Sequence, residues 1–521
     1  LALAVMVLAG LLRFHELGDE GGLWLDEIWS LMNAAGKGAA LDALPAGAVQ
    51  EPGTDWTEMG VVPWTRIWSN TVHDVHPPGL YLWLRGWTGM FGASEFAARS
   101  LPVTFSLAAM PVMFLLGRET IGAWRSALAL GLYATCCGAI FFAQECRGYT
   151  MVQFWLVCLA WFSWRVVARG ATVGRLAGMG AAIYAGMMTH YFFVGAGGGL
   201  ALWAVACARR GERARVAGAA GGAGALFALT WGPWMWEQRN FWAIHQHLLD
   251  LHWTVAREID RVLAAPARML LPSSPADGVV PRAFGVLVLL VIPGLAMVWC
   301  PQRRRGVGLW WAYLAGGIAF VGAVDVGRRG LGLEVPRYTS FLMPALCALM
   351  AGLGPPARWR WGGARWVLAA PALVVIALSC GWTWRSAYVQ KAWWRDAARA
   401  FAPRMGPGDA IVFQSDLPND WRPKYQYMCF AQYEGAARRL PHILVIGPEG
   451  PSGAAAQAIG AAGRVWVFSM RAPEYSGPNL GALEETSVWP LNVRSAETPL
   501  SVRLMTPRGG GGSSGGKAGQ P

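Results

Sequence analysis

Ala98-Arg99-Ser100-Leu101-Pro102-Val103-Thr104-Phe105-Ser106-Leu107-Ala108-Ala109-Met110-Pro111-Val112-Met113-Phe114-Leu115-Leu116-Gly117 is followed at once by Arg118. Beyond Arg99 in its first turn, the run carries no charge. A bilayer-spanning helix needs about 20 predominantly apolar residues, and this stretch supplies them. The pattern repeats outward in both directions. Apolar runs fall near 1–12, 98–117, 125–143, 150–168, 174–190, 192–208, 216–236, 284–300, 308–325, 338–354 and 364–384, which predicts about eleven spans.

Composition agrees. The 521 residues are 54% hydrophobic and only 14% charged, with 30 Trp; mean hydropathy is +0.33. Soluble domains carry about 25% charged residues. The net charge of +13 can signal nucleic-acid binding, but here the Arg residues sit in short gaps between apolar runs. With the N-terminus in the cytoplasm, those gaps hold Arg118 and Arg125; Arg165, Arg169 and Arg175; Arg209, Arg210, Arg213 and Arg215; Arg303, Arg304 and Arg305; and Arg358, Arg360 and Arg365. That is the positive-inside distribution, and it removes nucleic acid as a partner. The chain starts at Leu1 and its first apolar run reaches only Leu12, so a cut-short first span is expected, with no cleaved signal peptide. The nine Cys show no CxxC or zinc spacing, so neither a disulfide framework nor a metal site is read.

Three segments have another character. Residues 13–97 and 237–282 read as large extracytoplasmic loops, and 385–506 as a tail of soluble composition. The tail sets a helical stretch, Trp393 to Met405, before β-like runs at 410–413, 443–446 and 465–468. The expected architecture is an all-α polytopic membrane domain (1–384) with a small C-terminal α/β extracytoplasmic domain (385–506). A Gly/Ser-rich tail (507–521) reads as disordered.

Residues able to do chemistry gather at the expected outer ends. In the first loop, Leu25, Ile28, Trp29 and Met32 make an apolar stripe at helical spacing, which predicts a helix lying on the membrane surface. Asp26 on its neighbouring face could take a proton from an acceptor hydroxyl; the plain alternative is a solvated acid. His73-Asp74-Val75-His76-Pro77-Pro78 could bind a metal or a phosphate, or be a rigid polar loop. Gln144-Glu145-Cys146-Arg147-Gly148-Tyr149 closes a turn between spans, where Arg147 could grip a phosphate or form a helix-end ion pair. His190-Tyr191 and Arg337-Tyr338 fall at further outer turns, with interfacial anchoring as the bland alternative. His245, His247 and His252 lie in the second large loop, with His245 and His252 on one helical face; they could bind a metal, and a solvated helix face is the preferred reading. All eight His map to the outer side, and no Asp or Glu lies deep in a span. Ion-coupled carriers place ionisable groups near the midplane, so this pattern disfavours a transporter.

These pieces, in this order, resemble the bacterial glycosyltransferases of families 39 and 83 in the GT-C superfamily, the group of protein O-mannosyltransferases and aminoarabinose transferases. The likeness rests on Leu23-Trp24-Leu25-Asp26-Glu27, His76-Pro77-Pro78, Phe96-Ala97-Ala98-Arg99-Ser100-Leu101-Pro102, Gln144-Glu145-Cys146-Arg147-Gly148-Tyr149, His190-Tyr191 and Pro336-Arg337-Tyr338, over most of 10–350. In the tail, Trp394-Arg395 and Pro407-Gly408-Asp409 add to it. The resemblance implies an inverting transfer from a polyprenyl-phosphate-linked sugar to a lipid, glycan or protein acceptor at the extracytoplasmic face of the plasma membrane. It gives Asp26 as general base with Glu27 beside it, and Arg147, Arg337 and Tyr338 at the donor phosphate. His73, His76, Glu145, Tyr149 and His190 would line the pocket. Members of the superfamily differ in metal use. A divalent cation therefore stays open as cofactor, although the first loop has no DxD pair and resembles the metal-independent members. Two other classes remain as alternatives: a lipid or polysaccharide transporter or flippase, which would need a polar path through spans that read as apolar throughout, and a non-catalytic glycolipid-binding membrane protein.

Overall fold

A computed structural model describes residues 1–18, 22–40, 44, 49–50, 59–60, 62–242, 252–270, 279–291, 304–352, 394–415, 422–433, 439–446, 451, 453–469, 483–491 and 500–507. The expected span at 364–384, His245 and His247, and the end from 508 lie outside these residues. In chain order the helices are α1 (Ala2–Phe14), α2 (Leu25–Ala34), α3 (Thr65–Asn70), α4 (Gly79–Phe91), α5 (Glu95–Thr120), α6 (Ala123–Thr135), α7 (Cys137–Ala143), α8 (Tyr149–Arg169), α9 (Val173–Thr189), α10 (Phe193–Cys207), α11 (Arg213–Trp242), α12 (Val255–Leu270), α13 (Val279–Val286), α14 (Arg304–Arg328), α15 (Met343–Gly352), α16 (Trp394–Phe401), α17 (Arg422–Ala431) and α18 (Gly453–Ala461). The strands are β1 (Val49–Gln50), β2 (Asp409–Ser415), β3 (His442–Ile446), β4 (Arg464–Ser469), β5 (Leu483–Leu491) and β6 (Leu500–Pro507).

The chain divides into two compact units. One comprises Leu1–Leu17 and Pro63–Tyr388, the other Gly18–Val62 and Val389–Pro521. The first unit is helical. Among the described residues, α5, α8 and α14 are long and apolar enough to cross a membrane, and α6 with α7 makes a fourth if that bent pair is one span. α1, α10 and α15 are shorter apolar helices. Their shared core runs through Met110, Leu132, Leu156, Phe193, Trp310, Leu314 and Leu346, all nearly inaccessible.

The structure corrects two of the expected spans. The run 125–143 is not one helix: it breaks at Cys136, whose backbone is extended, and the halves meet at 60°. Thr135 and the two Cys are indifferent helix formers, and the break releases carbonyls that need donors. Arg13 provides them. Its guanidinium, fully buried, donates to Tyr133 O and Ala134 O at 3.0 Å each. Just past the break, a Cβ on Gly138 would come within 2.7 Å of the Met269 carbonyl oxygen, so only glycine lets α12 approach there. The second correction is at 338–354, which opens with two 3-10 turns, Pro336–Tyr338 and Ser340–Leu342, before α15. Nor are the spans apolar throughout. Arg13 Nε donates to Ser106 Oγ at 2.9 Å, Ser106 meets the Tyr133 hydroxyl at 3.2 Å, Tyr133 donates to Gln153, and Gln153 Nε2 donates to Ser340 O at 2.9 Å. A buried polar chain thus links α1, α5, α6 and α8 to the turns around residue 340.

The second unit is built on a six-stranded sheet of order β1-β3-β2-β4-β6-β5. β3, β2 and β4 are parallel neighbours; β1 and β6 pair antiparallel to them at either side. The crossovers put helices on both faces, as parallel strands buried on both sides require. On one face Ala410, Val412, Ile443, Val445, Val465 and Val467 pack against Ala455 and Ile459 of α18. On the other, Phe413 meets Tyr427 and Phe430 of α17, and Phe468 meets Phe401 of α16. Residues 18–62, placed by sequence in an outer loop of the membrane domain, belong to this unit. Val49 and Gln50 pair with Ile443 and His442, the Leu23 amide donates to the Tyr433 hydroxyl at 2.7 Å, and Arg395 donates to Gly18 O at 3.1 Å.

Candidate functional site

The first unit concentrates its polar side chains where the His73–Pro78 segment, the turn 144–148, the α9–α10 turn and the turns around 337 converge. The segment starts from a 3-10 turn, Thr71–His73, that ends at Asp74 in extended conformation. Pro77 and Pro78 then block helix until α4 begins at Gly79. A Cβ on Gly79 would lie 2.4 Å from the Met188 carbonyl oxygen. Glycine therefore allows this segment to lie against the end of α9, which brings His76 to His190.

Asp74 anchors the cluster. Only 4% exposed, it accepts hydrogen bonds from the Tyr81 hydroxyl, the Val75 amide and, at 3.1 Å, His76 Nδ1. Burial pushes its carboxyl up, but the His76 charge and hydrogen bond, the Arg147 charge and the Tyr81 hydroxyl together outweigh burial and hold it at about 2. Arg147 NH2 stands 3.3 Å and 3.4 Å from the two ring nitrogens of His76. Arginine only donates, so Arg147 bonds to His76 when the ring is neutral, with the Nδ1 proton donated to Asp74 and Nε2 accepting; protonation of the ring replaces that bond by repulsion and strengthens the pair with Asp74. The rings of His76 and His190 meet edge-to-face at 4.8 Å. His190 Nδ1 accepts the Phe192 amide at 3.1 Å. Burial first, then the His76 and Arg147 charges, hold His190 well below its ordinary value, so the ring is neutral.

An aromatic bridge continues from there. His190 meets Phe192 at 5.0 Å, Phe192 meets Tyr338 at 5.4 Å, and the Arg337 guanidinium lies 5.1 Å over the Tyr338 ring. Tyr149, at the start of α8, lies 6.4 Å from His190. Glu145 is buried in the same turn as Arg147, and its carbonyl accepts the Arg147 amide. His73 is half-buried, one residue ahead of Asp74. The loop bearing Arg337 is held from several directions. Arg261 of α12 donates to Glu334 at 2.7 Å, to Glu258 at 3.2 Å and to Gly330 O at 3.1 Å. Asp325 accepts the amides of Gly332 and Leu333 at 2.8 Å each. The cluster therefore gathers His76, Arg147, Tyr149, His190, Arg337 and Tyr338 around a dense set of donors suited to an anion.

Sequence reading weighs Asp74 only as a ligand and does not see it as the anchor. It also passes over Gln238, whose amide donates to Thr71 O at 2.6 Å and His76 O at 3.0 Å and accepts from Tyr191. Trp231 in turn donates to the Tyr191 hydroxyl at 2.7 Å. The available signal is that Trp231 and Gln238 stand seven residues apart, on one face of α11.

Asp26 and Glu27 belong to the second unit. The expected surface helix is here a packed one: Leu25, Glu27, Ile28, Ser30, Leu31, Met32, Asn33 and Ala34 of α2 are all buried. Glu27 is inaccessible, and its carboxylate accepts the Trp24 amide at 3.2 Å, half of a capping box at the helix start. Asp26 remains partly exposed. Burial, then the charges of Asp26 and Glu27, push the Cys429 thiol of α17 well up, which places the acidic pair beside that helix. The reason for the altered setting is that α2 buries its apolar stripe within the second unit, where α17 packs against it, and not against a membrane surface. Among the described residues, no three His, Cys, Asp or Glu side chains are placed so that they could hold a metal ion.

The chain has the fold of the GT-C glycosyltransferases. It is similar to the structure of ArnT from Cupriavidus metallidurans in the apo state, at a TM-score of 0.57 and 13% identity, covering 96% of this chain and 97% of that one. The same protein bound to undecaprenyl phosphate matches at 0.55 and 14% identity, with the same coverage. No protein-family profile matches the sequence, and neither does any curated protein.

Proposed function

We propose that this protein is an integral membrane glycosyltransferase that moves a sugar from a polyprenyl-phosphate donor to a lipid, glycan or protein acceptor at the extracytoplasmic face of the plasma membrane. The observation that carries the reading is the buried Asp74–His76–Arg147 array, joined through His190 and Phe192 to Tyr338 and Arg337. Fixed donors of this kind stabilise a departing phosphate without reorganising as charge develops on it. The similar ArnT structure holds undecaprenyl phosphate, a ligand of that class.

In the proposed step, an acceptor hydroxyl oxygen attacks the sugar anomeric carbon from the side opposite the phosphate. The bond from that carbon to the phosphate oxygen breaks, and the configuration inverts. The polyprenyl phosphate leaves with the electron pair, its charge held by Arg147 and Arg337. The hydroxyl proton passes to Asp26. Glu27, which caps α2, fixes the helix that carries the base. His76, oriented by Asp74, holds the Arg147 guanidinium in place; His73, Glu145, Tyr149 and His190 shape the pocket wall.

The test is consumption of radiolabelled polyprenyl-phosphate sugars by the purified protein in detergent, for wild type, Asp26→Asn and Arg147→Ala. Consumption by wild type and loss in both variants is the expected result. Equal consumption by Asp26→Asn would move the base elsewhere. No consumption of any donor by folded wild type, with or without acceptor extract, would overturn the reading in favour of transport or binding.

A further inference from the structure

The two arginines given to the donor phosphate stand on separate pieces of chain. Arg147 lies in the turn 144–148 just before α8, and Arg337 in the first of the two 3-10 turns before α15. Two guanidinium groups close on one phosphate only when their supports are fixed relative to each other. Gln153 of α8 joins those supports. It is inaccessible and follows Tyr149 by four residues, on the same face of the helix. Its Nε2 donates to Ser340 O at 2.9 Å. That carbonyl already accepts the Met343 amide, so Gln153 takes its second lone pair. The Ser340 hydroxyl in turn donates to Arg337 O at 3.0 Å. From α8 to the backbone of Arg337 the path is thus Gln153 to Ser340 to Arg337.

The direction of these bonds is set from α1. A carbonyl only accepts, so the nitrogen end of the Gln153 amide faces Ser340 and the oxygen end faces Tyr133. Tyr133 therefore donates to Gln153, and its oxygen is left to accept from the Ser106 hydroxyl, 3.2 Å away. Ser106 can spend its proton there because its own oxygen accepts from Arg13 Nε at 2.9 Å, and a guanidinium only donates. Every bond in the chain points the same way, from Arg13 to Ser340. Turning the amide over would set oxygen against oxygen at Ser340, a costly mismatch in a buried network. The end of α1 also meets the other support. Gln144, three residues before Arg147, donates to His15 O at 2.8 Å and to Arg13 O at 3.3 Å.

We infer that Gln153 is a positioning residue for the donor phosphate: it ties the Arg337 turn to α8 so that Arg337 and Arg147 close on the same phosphate, while Arg13 orients its amide through Ser106 and Tyr133. This rests on the reading of the two arginines as the groups that hold the phosphate.

The experiment measures binding of undecaprenyl phosphate to the full chain in detergent by thermophoresis, with the unfolding midpoint read on the same preparation. Gln153→Leu nearly keeps the volume, removes both ends of the amide, and should raise Kd about tenfold. Arg337→Ala should raise Kd about tenfold in the wild-type background but less than about threefold on top of Gln153→Leu, whereas Arg147→Ala should keep its full effect in both. Thr150→Val is the control. It breaks another buried bond of α8, from Thr150 Oγ1 to Pro102 O at 2.8 Å, and should lower the midpoint while Kd stays within about twofold of wild type. Should Gln153→Leu fail to fold, Tyr133→Phe, which keeps the ring and frees the amide to turn, goes through the same cycle and should raise Kd about threefold or more. A wild-type Kd in the folded variant, an undiminished Arg337→Ala effect in it, or an equal rise in Thr150→Val would each overturn the assignment. An unchanged Kd in both arginine variants would overturn the phosphate reading, and the assignment with it. Donor consumption by wild type is followed separately, so the loss of the positioning role and the loss of the transferase reading give different results.

Discussion

Asp74→Asn tests the anchor of the site directly. In the wild type the carboxyl is held at about 2 instead of 3.8, which corresponds to roughly 2 kcal/mol of preference for the charged form in the folded state. The residue is almost fully buried, so solvent does not screen that figure away. The sign follows from the direction. A carboxyl lowered on folding adds stability above 3.8, and that stability is lost as pH falls from 3.8 through 2. At pH 7 the variant should therefore be less stable by roughly 2 kcal/mol in an unfolding titration in mixed micelles. By pH 3 about half of that difference should have gone. Asn keeps one acceptor oxygen, so the change removes the charge together with one of the two oxygens that Tyr81, Val75 and His76 share. Donor consumption should also fall by about tenfold or more, since His76 loses its orienting partner. A variant within about 0.5 kcal/mol of wild type at pH 7, or a gap that widens on acidification, would refute the assignment of Asp74 as an ionised anchor.

Arg147→Lys keeps the charge but loses the planar fork, and should raise the donor KM by about tenfold with a smaller effect on kcat; steady-state kinetics with a labelled donor checks this. Gly138→Ala would force a methyl group to within 2.7 Å of the Met269 carbonyl and should destabilise by about 1–3 kcal/mol, seen as a lower unfolding midpoint in detergent. Arg261→Gln removes the tie to Glu334 and Gly330 and leaves Glu258 buried beside a neutral partner. It should cost about 3 kcal/mol of stability and raise the donor KM through the freed Arg337 loop, both measurable on one preparation.

Much of this arrangement was readable from residues alone, for definable reasons. Long apolar runs such as 98–117 have one favourable solution, and α5 is that helix, three residues longer at each end. The strands at 410–413, 443–446 and 465–468 are strands because β-branched and aromatic residues run between turn signals. His76, Arg147, His190 and Tyr338 share a cluster because polar side chains at span ends find one another once the helices pack. Other features were hidden. The break at Cys136 depends on Arg13, more than a hundred residues away, and no local pattern announces it. α2 has the stripe of a surface helix, yet protein covers it; periodicity shows which face is apolar but not what lies against it. β1 is two residues long, too short to carry an alternation, and β5 and β6 have mixed polarity. Gln238 was missed because a single glutamine near a Trp-rich stretch looks like interfacial decoration.

The pairing of β1 with β3 also dictates an order of events during synthesis. Gln50 faces His442, so about 390 residues of chain must be made between the two partners. At about 5–20 residues per second, the early segment waits for roughly 20–80 s before its sheet exists. Throughout that time α2, with Leu25, Ile28, Leu31 and Met32, lacks the neighbours that cover it in the finished protein. A ribosome that stops early would therefore release a chain whose membrane helices are complete but whose Asp26-bearing helix has nowhere to dock. Loss of the last strands should then be felt near the N-terminus, which couples the setting of Asp26 to completion of the whole polypeptide.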